Sequence, residues 1–352
     1  MSMEWPVRAD WLAQVSEPPL EPDLPIVDAH HHLWKLPHDT YLLPEFLADA
    51  DRAGGGHNVV ASVFAECAAM YRPSGPPDLR SLGEVEFANG IGAQAASGVF
   101  GPVRACAAMF GSVDLTRGEA AGEILDLHVS RAPDRYRGVR PIVCADPHGV
   151  LDPWPSAPAE LMAGAAFRAG ARALARRGLV LDLWVFHHQL DQVADLARAL
   201  PELSIVLDHL GTPLGMGWYA DKRAEVFEAW LRDLRTVAGC PNVVVKLGGL
   251  NMHFNGFGWG DRPQPPSSDE LAAANGPYYR AAIDLFGPDR CMFESNFPMD
   301  KRSVGWGTLW NAHKKIVAGF SADEKRQMFS EVAIRTYRIA GLDTAAASSS
   351  TP

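Results

Sequence analysis

The sequence predicts one α/β domain folded as a (β/α)8 (TIM) barrel, and three observations support this. Eight short runs rich in apolar and β-branched residues recur along the chain. Segments with apolar residues at three- and four-residue steps, the pattern of amphipathic helices, lie between them. The first run is not followed by G-x-G-x-x-G, which argues against the alternative of a doubly wound open sheet. Strands that alternate with helices form a parallel sheet, and eight of them close a barrel.

The predicted strands are the eight apolar runs, each of which ends near polar, glycine or proline residues. They are Pro25–Trp34, Val59–Ala68, Val103–Phe110, Tyr136–Cys144, Leu179–Phe186, Leu203–Leu210, Asn242–Leu250 and Arg290–Asn296. The clearest helical patterns cover residues 160–178, 190–202, 221–239 and 321–341. The last of these begins at Ser321, and Glu324 three residues later completes a capping box.

The barrel is predicted over residues 25–341, with an N-terminal extension (1–24) laid over it and a flexible tail (342–352). The net charge of −10 and the lack of a basic stripe argue against a nucleic-acid partner. No apolar stretch is long enough to span a membrane, and the N-terminus has no signal-peptide pattern. Five cysteines without a C-x-x-C pair indicate reduced thiols, so we expect a cytoplasmic protein.

The end of the first predicted strand resembles half of a metal site. It reads "IVDAHHHLW", and alternation of side chains along a strand puts His30 and His32 on one face and His31 on the other. Two imidazoles that point at one place suit zinc, manganese or a similar divalent ion. A hydrogen-bonded histidine cluster without metal is the alternative.

Further titratable residues fall at other predicted strand ends, where barrel enzymes carry their active sites. His187 ends the fifth strand and His209 ends the sixth. Lys246 lies inside the apolar seventh strand, where a buried ammonium needs a partner or a lowered pKa. Glu66 and Arg140 end the second and fourth strands, although charges near strand ends are also common without function.

Five motifs together resemble a known family. "DAHHHLW", "RYRGVR", "VLDHLGTP", "VVVKLGGL" and "MFESNFPMD" are similar, in order and spacing, to the amidohydrolase-2 group of the amidohydrolase superfamily. The likeness is strongest to its lactonase-like branch, of fuconolactonase and pyrone-dicarboxylate lactonase type. The resemblance implies a barrel that hydrolyses a C–O or C–N bond at a carbonyl carbon, and a fold that often dimerises. It also implies that Arg140 binds a substrate carboxylate.

The eighth strand departs from the family pattern F-G-S-D-W-P, because Asn296 stands in place of the aspartate and Glu294 in place of the glycine. An amide cannot act as a base at neutral pH. Either Glu294 restores the negative ligand of a metal site, or it pairs with Lys246 or a histidine in a site without metal. We favour the metal-independent alternative over one divalent ion (Zn or Mn). The candidate metal ligands are His30, His32, His187 and Glu294.

The loop 251–268 after the seventh strand is long and rich in aromatic, glycine and proline residues, which suggests a lid or pocket wall. The candidate substrate contacts are Tyr71, Arg72, Arg140, His253, Trp259 and Arg262. The candidate catalytic residues are Glu66, His187, His209, Lys246, Glu294 and Asn296. These assignments predict a small-molecule hydrolase that opens a lactone or related cyclic ester of a carboxylate-bearing or aromatic compound. A metal-dependent decarboxylase and a non-catalytic binding barrel are the alternatives.

Overall fold

The computed structural model describes residues 7–52, 56–152 and 156–342. Within them, eight parallel strands pair in chain order around a barrel. They are β1 (Ile26–His31), β2 (Val59–Ala65), β3 (Arg104–Gly111), β4 (Tyr136–Val139), β5 (Val180–Leu183), β6 (Ile205–Leu207), β7 (Val243–Leu247) and β8 (Cys291–Phe293). A parallel bridge between His31 and Phe297 joins the first strand to the segment after the last. The predicted barrel is confirmed.

Helices connect the strands and form the outer layer. They are α1 (Ala9–Leu12), α2 (Leu43–Ala50), α3 (Leu82–Ala96), α4 (Ala121–Arg131), α5 (Ala165–Ala175), α6 (Leu190–Ala199), α7 (Arg223–Ala238), α8 (Ser268–Phe286), α9 (Trp306–Ile316), α10 (Ala322–Arg326) and α11 (Val332–Tyr337). A small antiparallel hairpin, Trp34–Leu36 with Asp39–Tyr41, follows β1. Among the described residues, no helix has the length and apolar character needed to cross a membrane.

The last helical pattern, predicted as one segment over 321–341, is interrupted. The capping box is present, with the Ser321 amide donating to Glu324 Oε2 at 2.8 Å. A π-helical turn, Gln327–Glu331, then separates α10 from α11. At the end of α11, the hydroxyl of Tyr337 donates to Asp182 on β5 at 2.9 Å. This bond fastens the C-terminal helix to the inside of the barrel.

The N-terminal extension lies along α8, α9 and the loop 251–268. The indole of Trp11 donates to the carbonyl of Arg262 at 3.0 Å, and Arg8 donates to the carbonyl of Gly260. Farther along, the ammonium of Lys314 on α9 donates to the carbonyls of Leu20 (2.7 Å) and Glu21 (2.9 Å). Residues 1–6 and the predicted tail from 343 onward lie outside the described residues. All five cysteines are described, and they are free thiols.

Candidate active site

The end of β1 brings two histidines together. His30 Nε2 lies 3.2 Å from His32 Nε2, and His32 Nδ1 lies 3.0 Å from the carbonyl oxygen of Ala65. His31 is on the opposite side, stacked on Phe46 at 4.3 Å and bonded to Ser62 at 2.9 Å. The sides are those predicted from strand alternation. Burial is the main cause that holds the pKa values of both rings well below the usual range. Lys246 lowers the pKa of His30 further, and Arg140 lowers that of His32, so both rings are neutral at pH 7.

His209 and Glu294 form a short contact in this cluster. His209 Nδ1 lies 2.6 Å from Glu294 Oε1, and Glu294 Oε2 lies 3.3 Å from His30 Nδ1. His209 has a φ of 53°, in the left-handed region, within a turn that follows β6. Gly248 and Gly249 make room for the pair: a Cβ at Gly248 would lie 2.2 Å from Glu294 Cγ, and one at Gly249 would lie 2.3 Å from His209 Nδ1. The "KLGGL" sequence is therefore a spatial requirement of the His209–Glu294 contact.

Lys246 is fully buried between two carboxylates that the sequence analysis did not single out. Its ammonium donates to Asp182, lies 2.8 Å from Asp208 Oδ1, and lies 3.2 Å from His30 Nδ1. Burial alone would lower the pKa of Lys246, but Asp182 and Asp208 raise it above its ordinary value. The signal for both acids was present: each stands in an apolar run, as Lys246 does, and such charges are buried in pairs.

Arg140, at the end of β4, is held by protein acceptors. Its Nε donates to Glu66 Oε1 at 3.0 Å, and Nη2 donates to the Glu66 carbonyl. Its Nη1 lies 3.3 Å from His30 Nε2 and 3.6 Å from Asp208 Oδ2. Burial would lower the pKa of Arg140, but Glu66 and Asp208 raise it. The side chain is therefore a fixed cation beside the histidines.

Asn296 follows the end of β8 in a left-handed conformation, with a φ of 53°. Its side-chain nitrogen donates to Asp300 Oδ1 at 2.9 Å, and its backbone nitrogen donates to the carbonyl of His30 at 2.9 Å. Glu294 and Asn296 both lie beyond the end of β8, which stops at Phe293. Asp300, which the sequence analysis missed, also accepts from Asn251, and burial raises the pKa of Asp300 to about 7.

Comparison with known proteins places the chain in a family. The amidohydrolase family model matches residues 27–339. The chain belongs to the amidohydrolase family. The protein is therefore a hydrolase on the barrel that the sequence motifs indicated.

This amidohydrolase aligns with its relatives over nearly their whole length. It is 30% identical over 339 residues to y4mH of Sinorhizobium fredii, covering 90% of this chain and 99% of that protein. It is 27% identical over 330 residues to L-fucono-1,5-lactonase of Burkholderia ambifaria, and the alignment covers 89% of this chain and 95% of that protein. An amidohydrolase crystal structure from Burkholderia multivorans with bound zinc has a TM-score of 0.66 at 23% identity, covering 89% and 99%. A 2-pyrone-4,6-dicarboxylic acid hydrolase of Pseudomonas putida has a TM-score of 0.54 at 20% identity, covering 91% and 99%. Both structures share the fold.

Three residues of the amidohydrolase site fit a divalent metal ion. Among the described residues, ligating atoms of His30, His209 and Glu294 lie within 4.8 Å of one another. Two imidazoles and a carboxylate are the donors of many catalytic zinc sites. Glu294 Oε2 is buried and has no hydrogen-bond partner in the described part of the chain. His209 thus stands where the sequence analysis expected His187.

His187 belongs to a neighbouring cluster rather than to this donor set. The fifth strand stops at Leu183, and His187 lies in a short 3-10 turn, His187–Gln189. Its ring packs edge-on against His188 (5.2 Å) and Tyr219 (5.3 Å), and its Nδ1 accepts from the amide of Leu214 at 3.5 Å. Burial, with His188 beside it, lowers the pKa of His187 to about 4.

A cleft of about 580 Å³ opens between loops that follow β6, β7 and β8. Of the predicted substrate contacts, His253 and Trp259 line it. Arg262 donates to Glu270 at 2.7 Å, and Arg72 pairs with Glu86, so each is bound at the surface. Tyr71 is half-buried, and its burial raises its pKa. Arg302, which the sequence analysis did not name, is also a lining residue.

Proposed function

We propose that this amidohydrolase opens a lactone or related cyclic ester by attack of water on the ring carbonyl. The observation that carries the proposal is the buried His209–Glu294 pair, joined at 2.6 Å at the C-terminal end of the barrel. Glu294 also contacts His30, whose two ring nitrogens face Lys246 and Arg140. The L-fucono-1,5-lactonase name of the Burkholderia ambifaria relative supports the same reaction class. Tight turns at the strand ends fix these groups where barrel enzymes do their chemistry.

His209 is the proposed general base. When its Nδ1–H donates to Glu294, the other ring nitrogen, Nε2, carries the lone pair that takes a proton from water. Glu294 holds this tautomer and stabilises the imidazolium that forms. The water oxygen bonds to the carbonyl carbon, and the ring C–O bond then breaks. The departing alkoxide takes the proton back from His209, which yields a hydroxy acid.

The charge that develops on the carbonyl oxygen requires a fixed positive partner. Lys246 has no exposed surface, whereas Arg140 keeps 7% of its surface exposed. Arg140 is therefore the cation that can reach a substrate. Lys246 acts indirectly, through its contacts with His30 and Asp208.

A divalent ion, when bound by His30, His209 and Glu294, would polarise the attacked carbonyl or the water. We propose that turnover does not depend on it. Both ring nitrogens of His30 already face a cation, with Lys246 Nζ 3.2 Å from Nδ1 and Arg140 Nη1 3.3 Å from Nε2. An activated lactone also needs less help from a Lewis acid than an amide does.

The test is turnover of a lactone panel that includes 3,4-dihydrocoumarin and L-fucono-1,5-lactone. Turnover is measured as acid release, before and after the enzyme is treated with a chelator, and the metal content of both samples is determined. We expect opening that survives chelation, and a fall in kcat of about 10²- to 10⁴-fold in His209→Asn. The exposed His148→Asn variant is the control. Carbon dioxide release from aryl acids instead of lactone opening would indicate a decarboxylase. Unchanged turnover in His209→Asn would remove the proposed base.

A further inference from the structure

We propose that Arg302 binds a carboxylate on the substrate, and that the cleft between the loops after β6, β7 and β8 selects anionic lactones carrying a ring that packs on Trp259. This inference rests on the proposed lactone-opening function and specifies its substrate class. It moves carboxylate recognition away from Arg140, where the family resemblance puts it.

The position of the cleft connects it to the reacting groups. Its walls come from three loops at the C-terminal face, through Gly215–Gly217 after β6, Asn251–His253 after β7, and Met299 and Arg302 after β8. Asn251 donates from its side chain to Asp300 at 3.1 Å, and Asp300 accepts from Asn296. Asn296 in turn donates to the carbonyl of His30. A short chain of hydrogen bonds thus connects one face of the cleft to the catalytic cluster.

The two arginines differ in what already binds them. Every guanidinium nitrogen of Arg140 has a protein partner, from Glu66, His30 or Asp208. Arg302 has one ion-pair contact at 3.6 Å, to Asp39, and its buried Nε has no hydrogen-bond partner among the described residues. The guanidinium is thus incompletely paired, and a ligand carboxylate in the cleft would give its remaining donors a charge-assisted partner.

The other lining groups suit the same ligand. Trp259 is 9% exposed and stacks parallel on Phe257 with centroids 5.7 Å apart, so the indole is fixed. Among the described lining residues, Arg8 and Arg302 are cationic and Asp261 is anionic, which leaves the cleft with a net positive charge. A volume of about 580 Å³ accommodates a bicyclic molecule.

The experiment compares 6-carboxy-3,4-dihydrocoumarin with uncharged 3,4-dihydrocoumarin in the full chain and in Arg302→Gln and Arg302→Lys. We expect the wild type to prefer the carboxylated lactone. Arg302→Gln should raise KM for it about 10- to 100-fold, while kcat/KM for the neutral lactone stays within about twofold. Arg302→Lys, which keeps the charge but loses the Nε donor, should recover part of the preference. Arg232→Gln, a change of equal charge on a side chain 71% exposed on α7, is the control.

Calorimetry with benzoate and benzamide separates this inference from the function on which it rests. Lactone opening with no carboxylate preference, or a preference that Arg302→Gln leaves intact, overturns the inference and leaves the function standing. Benzoate binding that is lost in Arg302→Gln, with no lactone opened by the wild type, supports the anion site and overturns the lactonase function. Thermal unfolding of each variant confirms that the fold is retained.

Discussion

At the scale of single residues, the site shows how one carboxylate can take over when another is absent. The family pattern has an aspartate where this chain has Asn296. Here Glu294, two residues earlier, reaches both His209 and His30. The exchange requires space, which Gly248 and Gly249 provide because neither has a Cβ to fill it. Asn296 has meanwhile become a partner of Asp300.

Restoring the aspartate should therefore destabilise the protein in a pH-dependent way. In Asn296→Asp, the new carboxylate would lie against Asp300, where Asn296 Nδ2 is 2.9 Å from Oδ1. Burial already raises the pKa of Asp300 to about 7, and a second carboxylate raises it further. A raised folded-state pKa contributes stability at low pH that is lost as pH rises through it. We expect the loss in free energy of unfolding to be about 2 kcal/mol larger at pH 8 than at pH 5.5.

Urea unfolding at the two pH values measures this difference. Asn296→Ala, which removes the amide without adding a charge, should lose similar stability at both. An equal loss at both pH values in Asn296→Asp would show that the two carboxylates do not share a proton.

The sequence predicted some of the site residues, and their pairings explain which ones it missed. His30, His32 and His209 were found because histidines at strand ends are unusual, and Lys246 because a charge in an apolar run needs a partner. The partners of Lys246 were not found, since Asp182 lies on β5 and Asp208 follows β6, and only the closed barrel brings them to β7. Arg302 lies in a loop without periodicity, where no local pattern indicates a pocket.

At the scale of elements, the N-terminal extension supports one wall of the cleft. Arg8 and Trp11 bind the carbonyls of Gly260 and Arg262 in the loop 251–268, while Lys314 and Asn311 on α9 bind the extension farther along. The loop contains only short 3-10 turns, at His253–Asn255 and Trp259–Asp261, so its own hydrogen bonds are few. The extension therefore fastens a loop that the barrel alone would hold less firmly.

Trp11→Phe tests this support by removing the indole N–H and keeping most of the ring. We expect faster backbone amide exchange over residues 256–266, with strand amides of the barrel unchanged, because the bond to the Arg262 carbonyl (3.0 Å) is lost. The free energy of unfolding should change by about 1 kcal/mol or less. Mass-spectrometric hydrogen exchange measures the effect. The control is Trp218→Phe, because the Trp218 side chain is 58% exposed. Exchange equal to that of the wild type would mean that the loop holds itself.

For the whole molecule, the fold was predictable because its signal is repeated. Eight apolar runs between amphipathic helices specify a barrel even where single boundaries are wrong, as at β5, which stops at Leu183 rather than Phe186. The interruption of the last helix at Gln327–Glu331 was not predictable from periodicity, since the pattern continues through it. Met328 and Phe329 within that turn are fully buried.

The buried titratable groups of the whole molecule predict a stability maximum between about pH 6 and pH 7. Among the described residues, burial lowers the pKa of eight histidines: His30, His31, His32, His57, His128, His187, His253 and His313. A lowered folded-state pKa contributes stability above pH 6.5 that is lost as pH falls. Burial raises the pKa of Asp28, Glu84 and Asp300. These acids stabilise the fold at low pH, and that stability is lost between about pH 4, where the unfolded chain ionises, and pH 7 to 8, where the folded acids ionise.

Because the histidines outnumber the acids, the unfolded chain binds more protons below pH 6.5, and the free energy of unfolding should fall toward acid. The slope is about 1.4 kcal/mol per pH unit for each excess proton. Above pH 6.5 the histidine contribution is constant, so the acids set the slope, and stability should fall again up to about pH 8. Urea midpoints at about pH 5, 6.5 and 8.5 measure the curve. Glu84→Gln keeps an oxygen for the amides of Cys67 and Ala69 but carries no charge, so it should flatten the alkaline side and steepen the acid side. A midpoint that rises steadily from pH 5 to 8.5 would contradict the assignment of opposite signs to these two groups.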